Sequence, residues 1–297
     1  MRVLPCLLLA ALALLCAPAR AELYYLIVAG LGGDASYAER FAEDATAMAA
    51  AAERTVGSRD SITVLRGDEA TREALREALA GLAESTQPAD RLAVFLIGHG
   101  SYDGHEYKLN LTGEDITGTE LEALLGAVPA QSQLIVNATS ASGAVLEPWS
   151  AGGRAVITAT RSGAERNATR FSRHWAAALS SEEADLNKNG SISAQEAFDY
   201  ASRLVTESFE ADGILATEHP ELRSDAAGAF EVSRLSARVA ATPVVEALNE
   251  RLAELEEEVA ALRLRREALG ADYLPQLQAL LVELAEVQEQ IDEASAE

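Results

Sequence analysis

The sequence predicts an α/β fold, with helices on both faces of a parallel-dominated central sheet and a C-terminal pair of helices. Three observations carry this. Short, continuously apolar runs recur at Leu23 to Val28, Leu92 to Ile97 and Leu134 to Val136, the pattern of strands buried on both faces. Between such runs lie stretches with apolar residues at helical spacing, so strands and helices alternate. From Thr242 onward, Leu and Val recur every three or four residues among Glu and Arg.

Residues 1–21 read as a secretory signal peptide. Arg2 supplies the positive start, Val3 to Cys16 the apolar core, and Ala19-Arg20-Ala21 a small-x-small cleavage site before Glu22. The apolar stretch of about 14 residues falls short of the roughly 20 that span a bilayer. Leu15 before Cys16 also disfavours a lipid-attachment site. Both cysteines, Cys6 and Cys16, lie in this segment, so the processed chain has no thiol, disulfide or Cys nucleophile. Cleavage removes Arg2 and Arg20 and no acid, leaving the remainder two units more negative than the whole chain's −23. That charge argues against nucleic acid and anionic membranes as partners, and the expected location is secreted or periplasmic. In a bacterial compartment the sequons at Asn110, Asn137 and Asn167 are chance matches.

Residues 22–240 are expected to form the α/β domain. Its first strand, Leu23 to Val28, leads through a Gly-rich turn at Gly30, Gly32 and Gly33 into an Ala-rich helix from Tyr37 to Val56. The string lacks the last glycine of a dinucleotide fingerprint, which favours a tight turn at the crevice mouth. Ser61 to Leu65 is a second strand, and a helix from Thr71 to about Ala83 places Ala74, Leu75, Ala78 and Leu82 on one face. The third strand is Leu92 to Ile97, followed by a helix through Leu125 opened by a Thr117/Glu120 capping box. Gln133 to Asn137 and Arg154 to Ala159 are the fourth and fifth strands.

Two strand-to-loop junctions carry the functional signal: the third strand entering Gly98-His99-Gly100-Ser101, and the fourth entering Asn137-Ala138-Thr139-Ser140-Ala141-Ser142-Gly143. Parallel strand ends open into the crevice where ligands and catalytic groups collect. In this order and spacing the pair resembles the caspase and legumain superfamily of cysteine peptidases, across roughly Leu23 to Leu235 in element order and closely only at the two junctions. The resemblance implies a caspase-like three-layer sandwich, with His99 in the place of the family's catalytic His and Gly100 in that of its oxyanion-hole glycine. The nucleophile's place falls on Ser140 when counted back from Ser142-Gly143, the favoured reading, or on Thr139 when counted forward from the strand end. Either way oxygen replaces sulfur. A hydroxyl needs a base in contact and a third group orienting that base, and the sequence shows no such third group. Asp103 and Glu106 lie in a Gly-flanked loop, His105 is a weaker alternative base, and His174 and His219 fall in a helix and a surface loop. The expected function is a pseudopeptidase that binds a peptide or protein without efficient cleavage. The alternative is an active hydrolase using Ser140 with His99 as base.

Between a helix at Ala168 to Leu179 and another from about Ala194 to Val205, residues 185–196 follow the spacing of an EF-hand calcium loop. Asp185, Asn187, Asn189, the Ser191 carbonyl and Glu196 stand at the ligand positions, Gly190 at the sharp turn and Ile192 as apolar anchor. With two charged ligands, affinity is expected near ~10⁻⁴ to 10⁻³ M and the role structural. The same residues also suit a turn in which Ser193 and Glu196 form a capping box.

Residues 241–297 are expected to form a helical hairpin or coiled coil. Val245, Leu248, Leu252, Leu255, Val259 and Leu262 make one amphipathic run, Gly270 to Pro275 break it, and Leu277, Leu281, Leu284, Val287 and Ile291 make a second. The hairpin either folds back on its own domain or, through residues 244–291, joins a homodimer or a partner's helix.

Overall fold

The computed structural model describes residues 21–150, 154–224, 226–236 and 243–295. The signal segment thus lies outside the described residues, apart from Ala21. The chain divides into two compact units at Ser236/Ala237.

The first unit is the expected α/β sandwich. Strand β1 (Leu23–Ala29) leads to helix α1 (Ala35–Val56), β2 (Ile62–Arg66), α2 (Arg72–Ser85) and β3 (Arg91–Ile97). A three-stranded antiparallel meander follows, β4 (Gly100–Tyr102), β5 (Tyr107–Leu109) and β6 (Ile116–Thr117). The chain continues through α3 (Gly118–Ala127), β7 (Ser132–Asn137), the short α4 (Leu146–Trp149) and β8 (Ala155–Thr158). Next come α5 (Phe171–Ala178), β9 (Ser191–Ser193), α6 (Ala194–Ala211), β10 (Glu221–Arg223) and β11 (Glu231–Arg234).

The main sheet runs β10-β8-β7-β3-β1-β2. All its pairs are parallel except β10 against β8. Alternate residues feed two separate cores. Tyr25, Ile27, Phe95 and Val136 pack on one face with Phe41 and Met48 of α1 and Trp175 of α5. Leu26, Val28, Leu96 and Ile135 pack on the other with Leu75 and Leu79 of α2 and Trp149 of α4. Apolar residues at every strand position are therefore satisfied, because helices cover both faces.

Local signals explain the helix ends. Asp34 caps α1 by accepting from the amides of Ser36 and Tyr37, and Gly57 closes it at φ 77°. Thr71 caps α2 through the Ala74 amide. Thr117 caps α3 through the Glu120 amide. The Glu120 carboxylate does not complete that capping box: it is held by Arg72 at 2.7 Å and Arg76 at 2.6 Å. A two-pronged guanidinium bond offers it more than one neutral amide.

Strand order places the crevice. β1 has β2 on one side and β3 on the other, the strand order at which crossovers run in opposite directions, and here the loops leaving β1 and β3 meet, the Gly30 amide donating to the Ile97 carbonyl at 2.9 Å. His99 follows β3 and the glycine turn follows β1.

The second unit contains α7 (Pro243–Leu264), a short α8 (Arg266–Leu269) and α9 (Tyr273–Ser295). Val245, Leu255, Val259 and Leu262 of α7 are buried, as are Tyr273 and Val287 of α9.

Candidate active site

The half-buried imidazole of His99 is held on three sides. Its Nε2 lies 3.2 Å from the Gly32 carbonyl oxygen in the turn after β1. The ring meets Tyr37 edge-on at 4.8 Å and Phe41 at 5.2 Å, both from α1. Asp34 starts that helix so that its first turns deliver the two rings to the strand end, and Arg40 lies over both at 4.8 and 5.2 Å. A carbonyl accepts only, so the contact makes Nε2 the protonated nitrogen and leaves Nδ1 the lone pair.

Gly100 meets the loop after β7 directly. A Cβ at this position would stand 2.5 Å from the Ser140 carbonyl oxygen and 2.7 Å from both Thr139 Oγ1 and Tyr107 Cε2. The structure thus brings Gly100 together with both candidate nucleophile positions, through the hydroxyl of Thr139 and the backbone of Ser140. It does not join His99 to either hydroxyl by a hydrogen bond.

The two hydroxyls have opposite surroundings. Thr139 is fully buried, with Oγ1 2.5 Å from the Tyr107 hydroxyl and 2.8 Å from Asn137 Oδ1. Asn137 Oδ1 also accepts from the Tyr107 hydroxyl at 3.3 Å, so the phenol, the Thr139 hydroxyl and the amide oxygen form one buried network. Burial pushes the Tyr107 phenol up to about 12, so this proton stays in place at any ordinary pH. Ser140, 2 % exposed, has a buried Oγ with no hydrogen-bond partner. The next residue, Ala141, is left-handed at φ 57°, and its amide donates to the Glu165 carbonyl at 2.7 Å. A non-glycine residue in that region stores strain. Beyond it, Ser142 Oγ and Thr160 Oγ1 lie 3.2 Å apart.

Sequence reasoning missed a carboxylate–imidazole pair beside this loop. Glu165 Oε1 lies 2.7 Å from His219 Nδ1, and its Oε2 accepts the His219 amide. Arg161 binds the same carboxylate at 3.0 Å. His219 lies, as expected, in a loop, before β10, and is anchored there half-exposed. Its neighbour Glu218 is buried and accepts the Arg170 amide at 2.5 Å, while its second oxygen has no partner. Burial pushes this carboxyl up to about 7, against the pull of the Arg170 and Phe171 amides and of the Arg170 and Arg40 charges. The β8–α5 connection and the strand entry at β10 had no sequence signal linking them.

The other candidates sit apart from this network. Asp103 accepts from the amides of His105 and Glu106, which holds its carboxyl below the usual range, and Glu106 accepts from the Thr119 amide and hydroxyl. Both serve the β4–β5 turn and its link to α3. His174 lies in α5 as expected, and burial pushes it down to about 4.

No protein-family model matches this chain, and no curated protein matches it in sequence. Among solved structures, the chain is similar to protein GSU0716 from Geobacter sulfurreducens, at 16 % identity over 73 % of this chain and 99 % of that one, with TM-score 0.47. It is also similar to the Drosophila initiator caspase Dronc, at 9 % identity over 72 % of this chain and 81 % of that one, with TM-score 0.41. The fold class rests on the strand order and register above, and the roles of site residues rest on their own contacts.

Residues 185–190 form a tight loop after α5, followed by β9 and, at 194–196, the first turn of α6. Lys188 at φ 60° and Gly190 at φ 77° make its sharp turn, and Ile192 is fully buried. β9, at the loop's end, pairs antiparallel with β11. Ser193 and Glu196 form the full capping box of α6, so the turn reading and the calcium reading share Glu196. Asp185 and Glu196 are both buried, at 3 and 8 % exposure. Asp185 accepts the Asn189 and Gly190 amides, and Glu196 the Leu186, Asn187 and Ser193 amides. Lys188 Nζ points elsewhere, to the Glu182 carbonyl. Among the described residues neither carboxylate has a Lys or Arg partner, and carboxylate, amide and carbonyl oxygens are the donor types that a hard cation such as calcium takes. Among the described residues, no group of three or more His, Cys, Asp or Glu side chains gathers as a metal cage.

Proposed function

We propose that this chain is an exported caspase- or legumain-like pseudopeptidase, which holds an extended peptide or protein segment in the crevice without efficient cleavage. The observation that carries the reading is that His99 is bonded to the Gly32 carbonyl and to neither candidate hydroxyl, Thr139 being spent besides on buried bonds to Tyr107 and Asn137. A hydroxyl becomes a nucleophile only with a base in contact. Calcium at Asp185, Asn187, Asn189, Ser191 and Glu196 would act structurally, tying α5 to α6 on the face that carries α1.

The unpartnered Ser140 Oγ favours a second reading, a serine hydrolase with Ser140 as nucleophile and His99 as base. A serine-directed fluorophosphonate with intact-mass readout separates the two. The pseudopeptidase reading expects no mass gain and peptide turnover no faster than in His99→Ala. A single adduct lost in Ser140→Ala, with peptidase activity lost alongside, would overturn it. The same mass spectrum reads the start of the exported chain, expected at Glu22.

A further inference from the structure

Glu165 gathers two other residues on one carboxylate. Its Oε1 accepts from His219 Nδ1 at 2.7 Å and from Arg161 Nε at 3.0 Å, and its Oε2 accepts the backbone amides of the same two residues at 3.1 and 3.2 Å. Four bonds hold the carboxylate, and through it the planes of the imidazole and the guanidinium. Since both reach one oxygen, their bonded nitrogens stand about 6 Å apart at most. A carboxylate only accepts, so in the neutral ring Nδ1 carries the proton and Nε2 the lone pair. Among the described residues, neither Nε2 nor the outer nitrogens of Arg161 has a further partner, and the two side chains are 40 and 60 % exposed.

The sheet sets this group at the crevice edge. β10 pairs antiparallel with β8, Glu221 opposite Thr158, so His219 lies past the C-terminal end of β8. β3 and β7 end on the same edge, in His99 and in the loop whose Ala141 amide the Glu165 carbonyl holds at 2.7 Å. Pro220 confines the His219 backbone to extended conformations. His99, by contrast, has only the Gly32 carbonyl behind it.

We propose that His219 and Arg161 form an ester-hydrolysing site, in which His219 activates water against the carbonyl of a small carboxylic ester and Arg161 holds the developing oxyanion. The water oxygen bonds the carbonyl carbon while one of its protons passes to Nε2, and the Glu165 charge balances the imidazolium. The ester C–O bond then breaks, the Nε2 proton goes to the departing oxygen, and acid and alcohol leave with the ring neutral again. This activity goes beyond the pseudopeptidase reading and uses no serine. An alcohol or phenol departs far more readily than an amine, so a base and a cation serve an ester where a peptide asks for an activated nucleophile as well.

Hydrolysis of p-nitrophenyl acetate by the purified full chain tests this, with N-acetylhistidine at equal concentration as the free-imidazole background. The parent is expected at least about ten-fold above background and slower in D2O, as proton transfer to a base requires. His219→Asn keeps an amide donor for Glu165 in the place of Nδ1 but has no base, and should fall to background with its melting temperature retained. Arg161→Gln should lower kcat about ten-fold. Glu165→Gln keeps an acceptor for the ring without the charge; as a positioning residue it should lower kcat about ten-fold with KM unchanged. His105→Gln, which removes an exposed imidazole with no carboxylate bonded to its ring among the described residues, should change nothing. A parent no faster than free imidazole overturns the proposal, as does a rate that His219→Asn leaves intact. If that surviving rate disappears in Ser140→Ala, it belongs to the serine-hydrolase reading instead.

Discussion

The imidazole of His99 is tied to the carbonyl of Gly32, a residue from the turn after the neighbouring strand, and not to the hydroxyl of Thr139 or Ser140. The Gly-rich string that resembles a phosphate-binding turn therefore serves as a rest for the histidine. Its carbonyl fixes the tautomer, and the aromatic pair from α1 fixes the ring plane.

Gly100→Ala should destabilise the protein by about 1–3 kcal/mol, because the new methyl meets backbone at Ser140 and the Thr139 hydroxyl, which cannot swing aside. Gly81→Ala is the matched control. It lies within α2 with open space around its Cβ and should gain up to about 1 kcal/mol in helix propensity. Urea denaturation of both variants reads the difference, and equal effects would show that the two loops do not press on each other.

Glu218 makes stability depend on pH with a definite sign. Its carboxyl titrates at about 7 in the folded protein against 4.5 in the ordinary state, so the native state holds its proton longer than the unfolded chain does. This contribution is present in full below about 4.5 and is lost as pH rises to about 7, up to about 3 kcal/mol at one site. Glu218→Gln removes it. Urea midpoints of the variant should exceed the parent's at pH 8, with the gap closing toward pH 4.5. Parallel profiles would show that Glu218 is ionised throughout.

Calcium at 10 mM should stabilise the protein by about 1–3 kcal/mol if the loop binds in the range set by its two carboxylates. Glu196→Gln keeps an oxygen for the α6 cap yet removes the charge a cation needs. The reading is the calcium-induced rise in melting temperature, expected in the parent and largely absent in the variant. An equal rise in both means that the loop is a capped turn alone.

The major strands were legible because each is a continuous apolar run between two helical layers. β4, β5 and β6 were not, since strands of two or three residues fall below any periodicity and depend on pairing with one another. His99, Gly100, Thr139 and Ser140 could be placed at strand ends from sequence alone. What they touch could not. Tyr107 reaches Thr139 from the meander, Tyr37 and Phe41 reach His99 from α1, and His219 finds Glu165 from another loop. Each contact is made by the sheet's order, which local residue patterns do not encode. The half-formed cap at Thr117 has the same origin, since Glu120 is claimed by arginines from α2.

The buried chain through Thr139 also bears on how such a protein changes over generations. Tyr107 and Asn137 each direct a polar atom at one hydroxyl, and a thiol is larger and a weaker hydrogen-bond partner. A single codon change to cysteine at that position would leave a phenol and an amide oxygen poorly matched in the interior, so it would be selected against before any chemistry appeared. Tyr107 and Asn137 would have to change with it, whereas Ser140, whose buried Oγ has no hydrogen-bond partner, carries no such requirement and would admit a thiol with less resistance.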